Sequence, residues 1–510
     1  MIESATKLRG AQVHRVAGLA GSIVKDVSAQ SAFDLLAAQA SGDLSAVEIT
    51  RTFVDRIEKL DEKVKAFVSV RPEQALERAK SIDARRAKGE TLGPLAGLPV
   101  ALKDNLCTTG WETTCASGIL ENFKPPYNAT VVEKLDAADA IIIGKTNMDE
   151  FAFGSSTESS AWGPTRNPWD LDRVPGGSSG GSAAALAAGL APLAVGSSTG
   201  GSVRQPAGFC GVTGLKPTYG RVSRYGLVAF GSSLDQVCPL AHDARDAALL
   251  LGVLAGYDRR DSTAIDATVP DYVASLDEAP DGMTLGIPKE YFGEGIEPDV
   301  EQRITEAVEL FEKLDFKIVE VSLPHTKYGV SAYYVVATAE ASSNLARFDG
   351  VHYGHRTAEK TDLVDLYSVS REEGFGDEVK RRVMLGTYAL SSGYYDAYYL
   401  KALKVRRLMK EDFDRAWQQV DALVCPTSPT TAFKIGERID DPLSMYLADV
   451  FTISANMVGI PGMSIPCGFD RQGLPVGLQI LAPNLEESRL LRIAAAFQHE
   501  TDFHLSRPPL

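Results

Sequence analysis

The chain has 510 residues, with 52 Lys and Arg against 67 Asp and Glu, so its formal net charge is −15. This excess of acid argues against a protein that holds nucleic acid mainly by charge, because such a protein needs a basic face. Hydrophobic residues make up 44% and charged residues 23%, values typical of globular proteins, so intrinsic disorder is excluded as the main state.

No stretch approaches the roughly 20 consecutive apolar residues that a membrane-spanning helix needs. The nearest, residues 183–195, is rich in Ala and Gly and is interrupted by Pro192. We therefore expect a soluble protein. The six cysteines form no Cys-x-x-Cys pair of the kind that binds zinc or carries out dithiol chemistry, which predicts reduced thiols and a cytoplasmic location.

Residues 1–30 carry four basic residues around a short apolar run at 17–24. The run is too weak for a signal peptide, and the acidic residues on both sides of it make an organelle transit peptide the less favoured interpretation. We interpret this segment as an N-terminal extension, with organelle import as the alternative.

From residue 31 to residue 67 the apolar residues recur at helical spacing, and Ser45 followed by Glu48 predicts a capping box at the start of one helix. Beyond this segment, short apolar runs alternate with longer helical patterns. The runs predict strands at 98–104, 140–146, 193–198, 284–289, 316–323, 422–426 and 462–468. The helical patterns fall at 131–138, 182–190, 300–314, 397–418 and 486–499. This alternation predicts an α/β protein with a mostly buried sheet between helical layers.

The domain organisation that we expect is one large domain over residues 31–505. A stretch rich in Pro and Asp at 267–282 predicts an exposed connection, and a segment near 328–399, richer in Tyr, Arg and Glu, predicts a helical insertion beside the sheet. No repeat of fixed period is present in the sequence, which excludes solenoids and propellers.

The most unusual composition lies at 175–206, where two clusters of Gly and Ser flank a segment of small apolar residues. A flexible linker would not be interrupted in this way. A phosphate-binding loop requires Lys after the last glycine, and this stretch lacks it. A nucleophile elbow, G-x-S-x-G, is matched by Gly176, Ser178 and Gly180, and would use Ser178 as nucleophile with a histidine as base. No strand pattern precedes this motif, which weakens the elbow interpretation.

A lysine offers a different way to activate a serine. A lysine buried among apolar groups loses part of its affinity for a proton and can act as a base near neutral pH. Lys103 ends the predicted strand 98–104 and is placed for that role, with Asp104 or Asn105 beside it. The competing interpretation is a solvated lysine at the end of a strand.

Several stretches together resemble the amidase signature family, and within it the glutamine-hydrolysing subunits of tRNA-dependent amidotransferases. The resemblance runs in consistent order over roughly residues 30–505. Its motifs are PLAGLPVALKDN (94–105), GKTNMDEFAFGSSTE (144–158), RVPGGSSGGSAAA (173–185), STGGSVRQPAGFCGVTGLKPTYGRVSRYGLVAFGSSLDQ (198–236) and IPGMSIPCG (460–468). It implies a mixed β-sheet between layers of helices.

The resemblance also implies a Ser–cisSer–Lys triad. Ser202 would be the nucleophile, Ser178 the bridging serine after a cis peptide bond, and Lys103 the base. A bridging serine accepts a hydrogen bond on one side and donates one on the other, so the lysine receives the nucleophile's proton without touching it. The backbone N–H groups of Thr199, Gly200 and Gly201 would stabilise the oxyanion.

Glutamine carries a carboxylate and an ammonium group besides its amide, so a selective pocket needs one fixed cation and one fixed anion. The resemblance implies Arg382 for the carboxylate, Asp449 for the amino group and Tyr333 as a pocket residue. Arg381, next to Arg382, is the alternative cation, because the sequence does not say which arginine faces inward.

The function implied is hydrolysis of glutamine to glutamate and ammonia, which a partner uses to convert Glu-tRNA(Gln) or Asp-tRNA(Asn) to the correctly charged tRNA. The implied partners are the B and C subunits of the amidotransferase, with tRNA bound mainly through the partner. No metal or cofactor is expected in this chain, and ATP and Mg²⁺ would be used by the partner subunit. The alternatives are a stand-alone amidase for another small amide and a catalytically silent scaffold.

Two positions depart from the family pattern. Ser198 stands where relatives usually carry Asp before the TGGS motif, and Phe153 stands where methionine is common. The loss of a carboxylate four residues before the nucleophile affects the support of the oxyanion loop. We expect the Ser198 hydroxyl to cap the same backbone groups and the enzyme to retain its activity.

Overall fold

The structure is a computed structural model that describes residues 26–278, 280, 282–293, 295–359 and 362–510. The predicted N-terminal extension at 1–30 lies almost entirely outside these residues. No helix in the described part of the chain combines the length and the apolar character that a membrane span requires. All six cysteines are free and buried.

Eleven strands of the described chain form one mixed sheet, in the order β1-β3-β2-β4-β6-β5-β10-β11-β9-β7-β8. The strands are β1 Phe67–Val70, β2 Pro99–Lys103, β3 Ile141–Thr146, β4 Leu193–Ser198, β5 Thr213–Lys216, β6 Gln236–Ala241, β7 Thr284–Pro288, β8 Lys317–Val321, β9 Ala422–Pro426, β10 Gly462–Phe469 and β11 Pro475–Leu481. β2 runs parallel to both β3 and β4, whereas β4 and β6 are antiparallel. The confirmed fold class is therefore α/β with a mixed central sheet.

The α-helices cover both faces of this sheet in the manner expected for a mostly buried sheet. Those of the described chain are α1 Ala32–Ser41, α2 Ala46–Val64, α3 Pro72–Ala87, α4 Thr130–Ala137, α5 Gly180–Ala187, α6 Arg204–Cys210, α7 Ala244–Leu254, α8 Pro298–Lys313, α9 Gly329–Asn344, α10 Leu363–Gly374, α11 Asp377–Leu390, α12 Lys401–Ala416, α13 Pro442–Leu447, α14 Val450–Val458 and α15 Glu487–His499. A one-turn π-helix, Asp396–Leu400, leads into α12.

Each strand predicted from an apolar run is present, within two residues of its predicted ends. β1, β5, β6 and β11 were not predicted. β5 has only four residues, and β6 contains a proline, so neither gives a strong local signal. The capping box at the start of α2 is present, with Ser45 and Glu48 bonded to each other's backbone N–H groups.

The segment near 328–399 contains three helices, α9 to α11, and a separate apolar cluster packs between them and the active-site loops. This cluster includes Tyr333 and Phe153. The helices therefore form a layer that stands over the end of the sheet where β2 and β4 finish. The division of the chain into a single domain with an insertion remains a prediction.

Candidate active site

Three neighbouring elements position the residues of the predicted triad. Lys103 is the last residue of β2, and Ser178 lies in the Gly/Ser loop just before α5. Ser202 follows the end of β4 by four residues. Because β2 and β4 are adjacent parallel strands, their carboxyl ends lie at the same edge of the sheet. The sheet topology thus brings together residues that are far apart in sequence.

Lys103 is fully buried and hydrogen-bonded to two serines. Its Nζ donates to Ser178 Oγ and to Ser179 Oγ, both at 2.8 Å, and to the Ser197 carbonyl at 3.3 Å. No carboxylate lies within salt-bridge distance of Lys103 among the described residues. The contact between lysine and bridging serine that the resemblance implied is therefore present in the geometry.

Burial lowers the pKa of Lys103 to about 7, because a buried ammonium group loses its hydration. Asp149 acts in the opposite direction through its charge, but the loss of hydration is the larger effect. The amine is consequently half neutral near physiological pH. A neutral amine beside Ser178 is able to accept a proton.

The peptide bond between Gly177 and Ser178 is cis, as the resemblance implied. The backbone around it is held on both sides, since Asp149 N donates to the Ser178 carbonyl at 3.3 Å and Gln205 Oε1 accepts from Gly177 N at 3.0 Å. This arrangement directs the Ser178 side chain toward Lys103.

Ser202 lies next to the Ser178 segment, and Ser179 N donates to the Ser202 carbonyl at 3.0 Å. Among the described residues the Ser202 hydroxyl forms no hydrogen bond, and the N–H groups of Gly200 and Gly201 donate to no protein acceptor. A serine hydroxyl and a set of unused N–H donors thus occupy one short loop, which is the arrangement that acyl transfer requires.

Tyr333 and Asp449 both approach the loop 199–201. A Cβ atom built on Gly200 would lie 2.7 Å from the Tyr333 hydroxyl, and one built on Gly201 would lie 2.9 Å from Asp449 Oδ1. Only glycine at these positions allows the two side chains to come so close. Two of the three residues that the resemblance assigned to substrate binding, Tyr333 and Asp449, therefore lie beside the loop that leads to Ser202.

Only one of the two Asp449 carboxylate oxygens has a hydrogen-bond partner among the described residues. Its Oδ2 accepts a hydrogen bond from Ser155 Oγ, whereas its Oδ1 is buried and has no hydrogen-bond partner among the described residues. Burial raises the pKa of Asp449 to about 7. An ammonium group placed at Oδ1 would supply both the missing hydrogen bond and the missing counter-charge.

Arg382 and Arg381 of α11 differ in how far their side chains are buried. The Arg382 side chain is only 3% exposed, whereas that of Arg381 is 45% exposed. Arg382 Nε donates to Glu378 Oε1 at 2.7 Å, and its guanidinium lies against four rings, those of Phe153, Phe230, Tyr334 and Tyr446. Both arginines bond to Glu378, and burial is what distinguishes Arg382 from Arg381.

A cavity of about 380 Å³ lies in front of Arg382. Phe153, Ser155, Glu158, Arg382 and Tyr446 are among its lining residues. The triad residues do not line it, but Ser155 joins its wall directly to Asp449. The cavity is of the size typical of small-molecule sites.

Ser198, the residue that departs from the family pattern, does not cap the oxyanion loop. Its hydroxyl accepts from Asn456 Nδ2 at 3.3 Å, and the side-chain carbonyl of Asn456 accepts from Arg204. Arg204 is fully buried without a carboxylate partner in the described chain, and burial lowers its pKa to about 10. Asn456 therefore links the two residues through its amide.

The nucleophile-elbow interpretation requires a histidine that acts as base for Ser178, and the described part of the chain places none beside it. His14 lies outside the described residues. None of the hydrogen bonds of the described histidines reaches Ser178 or Ser202, and the buried His242 has an unpartnered Nε2. The described residues also contain no group of His, Cys, Asp or Glu able to hold a metal ion. The basic side chain that does reach Ser178 in the described chain is that of Lys103.

Three residues at this site were missed by sequence reasoning. Ser179 shares the Lys103 ammonium with Ser178, Glu378 holds Arg382, and Asp235 accepts a hydrogen bond from Thr199. The spacing of Glu378 and Arg382, four residues apart within the predicted helical insertion, is a signal that could have revealed their pairing. Asp235 gives no comparable signal, because its partner is 36 residues away.

Comparison with known proteins relates the chain to one family. The family model described as Amidase matches residues 48–491. The A subunit of the glutamyl-tRNA(Gln) amidotransferase of Carboxydothermus hydrogenoformans is 59% identical over 468 residues, which cover 92% of this chain and 96% of that protein. The crystal structure of the protein of the same name from Thermotoga maritima has a TM-score of 0.78 and 44% identity, with 94% of this chain and 97% of that chain covered. A peptide amidase in complex with the competitive inhibitor chymostatin has a TM-score of 0.81 and 31% identity, with 94% and 99% covered.

Proposed function

This chain belongs to the amidase family, and we propose that it is the glutamine-hydrolysing subunit of a tRNA-dependent amidotransferase. The observation that carries the proposal is the fully buried Lys103, which is bonded to Ser178 beside the loop of Ser202. The high identity to glutamyl-tRNA(Gln) amidotransferase proteins over nearly their full length supports the choice of glutamine and of the complex.

In the proposed first step, Ser202 Oγ attacks the carboxamide carbon of glutamine. Its proton passes to Ser178 Oγ while the Ser178 proton passes to the neutral Lys103 amine. The hydrogen bond from Ser202 to Ser178 forms as the substrate closes the site, because catalytic hydrogen bonds often tighten only in the substrate complex. The C–O bond to Ser202 then completes a tetrahedral oxyanion.

The unused N–H groups of the loop 199–201 stabilise this oxyanion in the proposed mechanism. The tetrahedral intermediate collapses with cleavage of the C–N bond, and Lys103 returns its proton through Ser178 to the departing nitrogen, which leaves as ammonia. The glutamyl ester on Ser202 is then attacked by water, activated through the same serine–lysine pair. Glutamate is released and Ser202 regains its proton.

Selectivity for glutamine in this proposal comes from two charges of opposite sign. Arg382 binds the α-carboxylate through the guanidinium nitrogens that Glu378 leaves free. The unpartnered Oδ1 of Asp449 accepts the α-ammonium, and Tyr333 closes the pocket over Gly200. An amide lacking either charge would leave one of these buried groups unpaired.

The ammonia is passed to partner subunits in this proposal. The B subunit activates the misacylated Glu-tRNA(Gln) with ATP and Mg²⁺, and the C subunit joins the complex. The relatives' name, which designates one lettered subunit of an amidotransferase, supports a complex of several subunits. The net charge of −15 supports a tRNA-binding role for the partner rather than for this chain. The free, buried cysteines support a reducing, cytoplasmic compartment.

Ammonia release from L-glutamine by the complex of the chain with its partner subunits tests this function. We expect stimulation by glutamyl-tRNA and ATP in the wild type, and a loss of about 10⁴-fold or more with Ser202→Ala, because the covalent intermediate cannot form. Undiminished release by Ser202→Ala would reject this serine as the nucleophile and favour Ser178. If the complex forms normally but neither the wild type nor Ser202→Ala releases ammonia, the result would favour a silent scaffold.

A stand-alone amidase is the second candidate, and the likeness to the peptide amidase supports it. It predicts turnover of another small amide by the isolated chain, with rates that do not change in Arg382→Ala or Asp449→Ala. The glutaminase proposal predicts the opposite for both variants.

A further inference from the structure

A buried carboxylate, Asp235, supports the loop that carries the candidate oxyanion donors. Asp235 is only 3% exposed and lies directly before β6. Its Oδ1 accepts from the Thr199 hydroxyl at 2.6 Å. The same carboxylate accepts from Phe230 N at 2.8 Å and from Gly231 N at 3.2 Å. Asp235 therefore joins the loop 199–201 to the turn 230–235.

The turn on the other side of Asp235 is itself fixed to the helical layer. Asn344 Nδ2 of α9 donates to the Phe230 carbonyl at 3.0 Å, and Arg406 Nη2 of α12 donates to the Ser233 carbonyl at 2.9 Å. The Phe230 ring lies 4.3 Å from that of Phe153. Asp235 thus holds Thr199 against a turn that has little freedom to move.

A second bond holds the loop at its centre, where the Thr452 hydroxyl donates to the Gly200 carbonyl at 2.9 Å. Two consecutive glycines otherwise leave this backbone free to rotate. An oxyanion donor is effective only when its N–H points at the position the oxyanion will occupy. Fixing the Thr199 side chain and the Gly200 carbonyl fixes the peptide planes whose N–H groups are unused.

We propose that Asp235 is a positioning residue for catalysis, which orients the backbone N–H donors of the loop 199–201 through the Thr199 hydroxyl. It does not touch the substrate or the reacting atoms. The proposal rests on the proposed amide hydrolysis, but it concerns the rate of the chemical step rather than the identity of the amide.

The test compares Asp235→Asn, Thr199→Val and the double variant, each in the complex with its partner subunits, by kcat and KM for glutamine. We expect each single variant to lower kcat by about 10²-fold, the effect of losing an oxyanion donor, while KM changes by less than about threefold. The double variant should be no slower than the slower single variant, because both changes break the same bond.

Asp258→Asn is the matched control. Asp258 is also buried and accepts from Thr130, Ser223 and Arg260, but none of these residues contacts the loop 199–201. We expect its kcat within about threefold of the wild type, even if its melting temperature falls as far as that of Asp235→Asn. Thr199→Val tests the proposal if Asp235→Asn does not fold.

The proposal is overturned by an unchanged kcat in Thr199→Val, by a KM increase that accounts for the loss, or by multiplicative effects in the double variant. Ammonia release by the wild type tests the proposed glutaminase function, independently of the variants that test Asp235. If it releases ammonia from another amide but not from glutamine, the glutaminase function fails, and the same comparison on that amide still tests Asp235.

Discussion

Lys103 shows how a single residue acquires its chemistry from its position. A lysine at the end of an exposed strand would keep its proton at neutral pH, but this lysine ends a fully buried interior strand, the third of the eleven in the sheet. The surrounding serines solvate its nitrogen without adding charge. Its proton affinity is therefore set by the burial of β2 and not by any residue next to it in sequence.

The first prediction concerns pH. Because the base must be neutral and burial lowers the pKa of Lys103 to about 7, the rate of glutamine hydrolysis should rise with pH through an apparent pKa near 7. Asp449 acts in the same direction, since its carboxyl, with a pKa raised to about 7, must be ionised to bind an ammonium. A kcat profile from pH 5 to 9 measures the first effect and a KM profile the second.

Lys103→Met is the control for this profile and should be inactive across the whole range. An activity of the wild type that stays constant from pH 5 to 9 would contradict the assignment of Lys103 as the base.

The second prediction concerns Ser198. Since Thr199 and Gly200 are held by Asp235 and Thr452, the carboxylate that relatives carry at this position is not needed for the loop. Ser198→Asp should leave kcat within about threefold, or less than 1 kcal/mol. It should raise the free energy of unfolding by about 1–3 kcal/mol, because it places an acid near the buried Arg204. Chemical denaturation and ammonia release measure the two effects.

Asn456→Ala is the companion variant. It removes the amide that joins Ser198 to Arg204 and should destabilise the protein. A large gain of activity in Ser198→Asp would mean instead that the serine at this position costs the natural enzyme part of its chemistry.

At the scale of elements, helix α11 contributes an acid and a base, Glu378 and Arg382, to the candidate site. Glu378 and Arg382 lie four residues apart on this helix, so the acid holds the arginine in a fixed rotamer. The aromatic side chains of α9 and α13 complete its surroundings through Tyr334 and Tyr446. The helical layer is thus the part of the fold that carries Arg382, the cation that we propose for the substrate carboxylate.

The third prediction tests this helix. Arg382→Ala should raise KM for glutamine by about 10–100-fold with a smaller effect on kcat, because a charge-assisted hydrogen bond to the carboxylate is lost. Lys380→Ala removes an equal charge from a position of the same helix that does not line the cavity, and it should leave KM unchanged. Equal effects of the two variants would show that net charge, rather than a defined contact, binds the substrate.

At the scale of the whole molecule, the charge distribution limits what the chain does alone. With 67 acidic and 52 basic residues, the chain carries a net charge of −15, which disfavours binding to a phosphate backbone. Delivery of ammonia, rather than contact with tRNA, is the role that this architecture suits.

The fourth prediction follows from this charge. The isolated chain should not bind tRNA measurably at about 150 mM salt, and glutamyl-tRNA with ATP should stimulate glutamine hydrolysis only in the complex. Filter binding and ammonia release, each with and without the partner subunits, measure the two parts. Micromolar tRNA binding by the isolated chain would contradict the proposed division of labour.

The sequence by itself determined the fold class and most of the strands. Apolar runs such as 193–198 and 422–426 coincide with β4 and β9, because buried strands of a mixed sheet require continuous apolar residues. The family motifs also indicated the lysine, the two serines and the glycine loop, since these positions need particular residue types at fixed places in the chain.

Only the tertiary structure decided which side chains share an environment. It buried Arg382 and exposed Arg381, and it joined Asp235 to Thr199 across two adjacent strands. It also gave the Ser198 hydroxyl to Asn456, 258 residues away, instead of to the oxyanion loop. Local sequence carries no record of such contacts, because burial and hydrogen bonding across the sheet arise only when distant segments pack together.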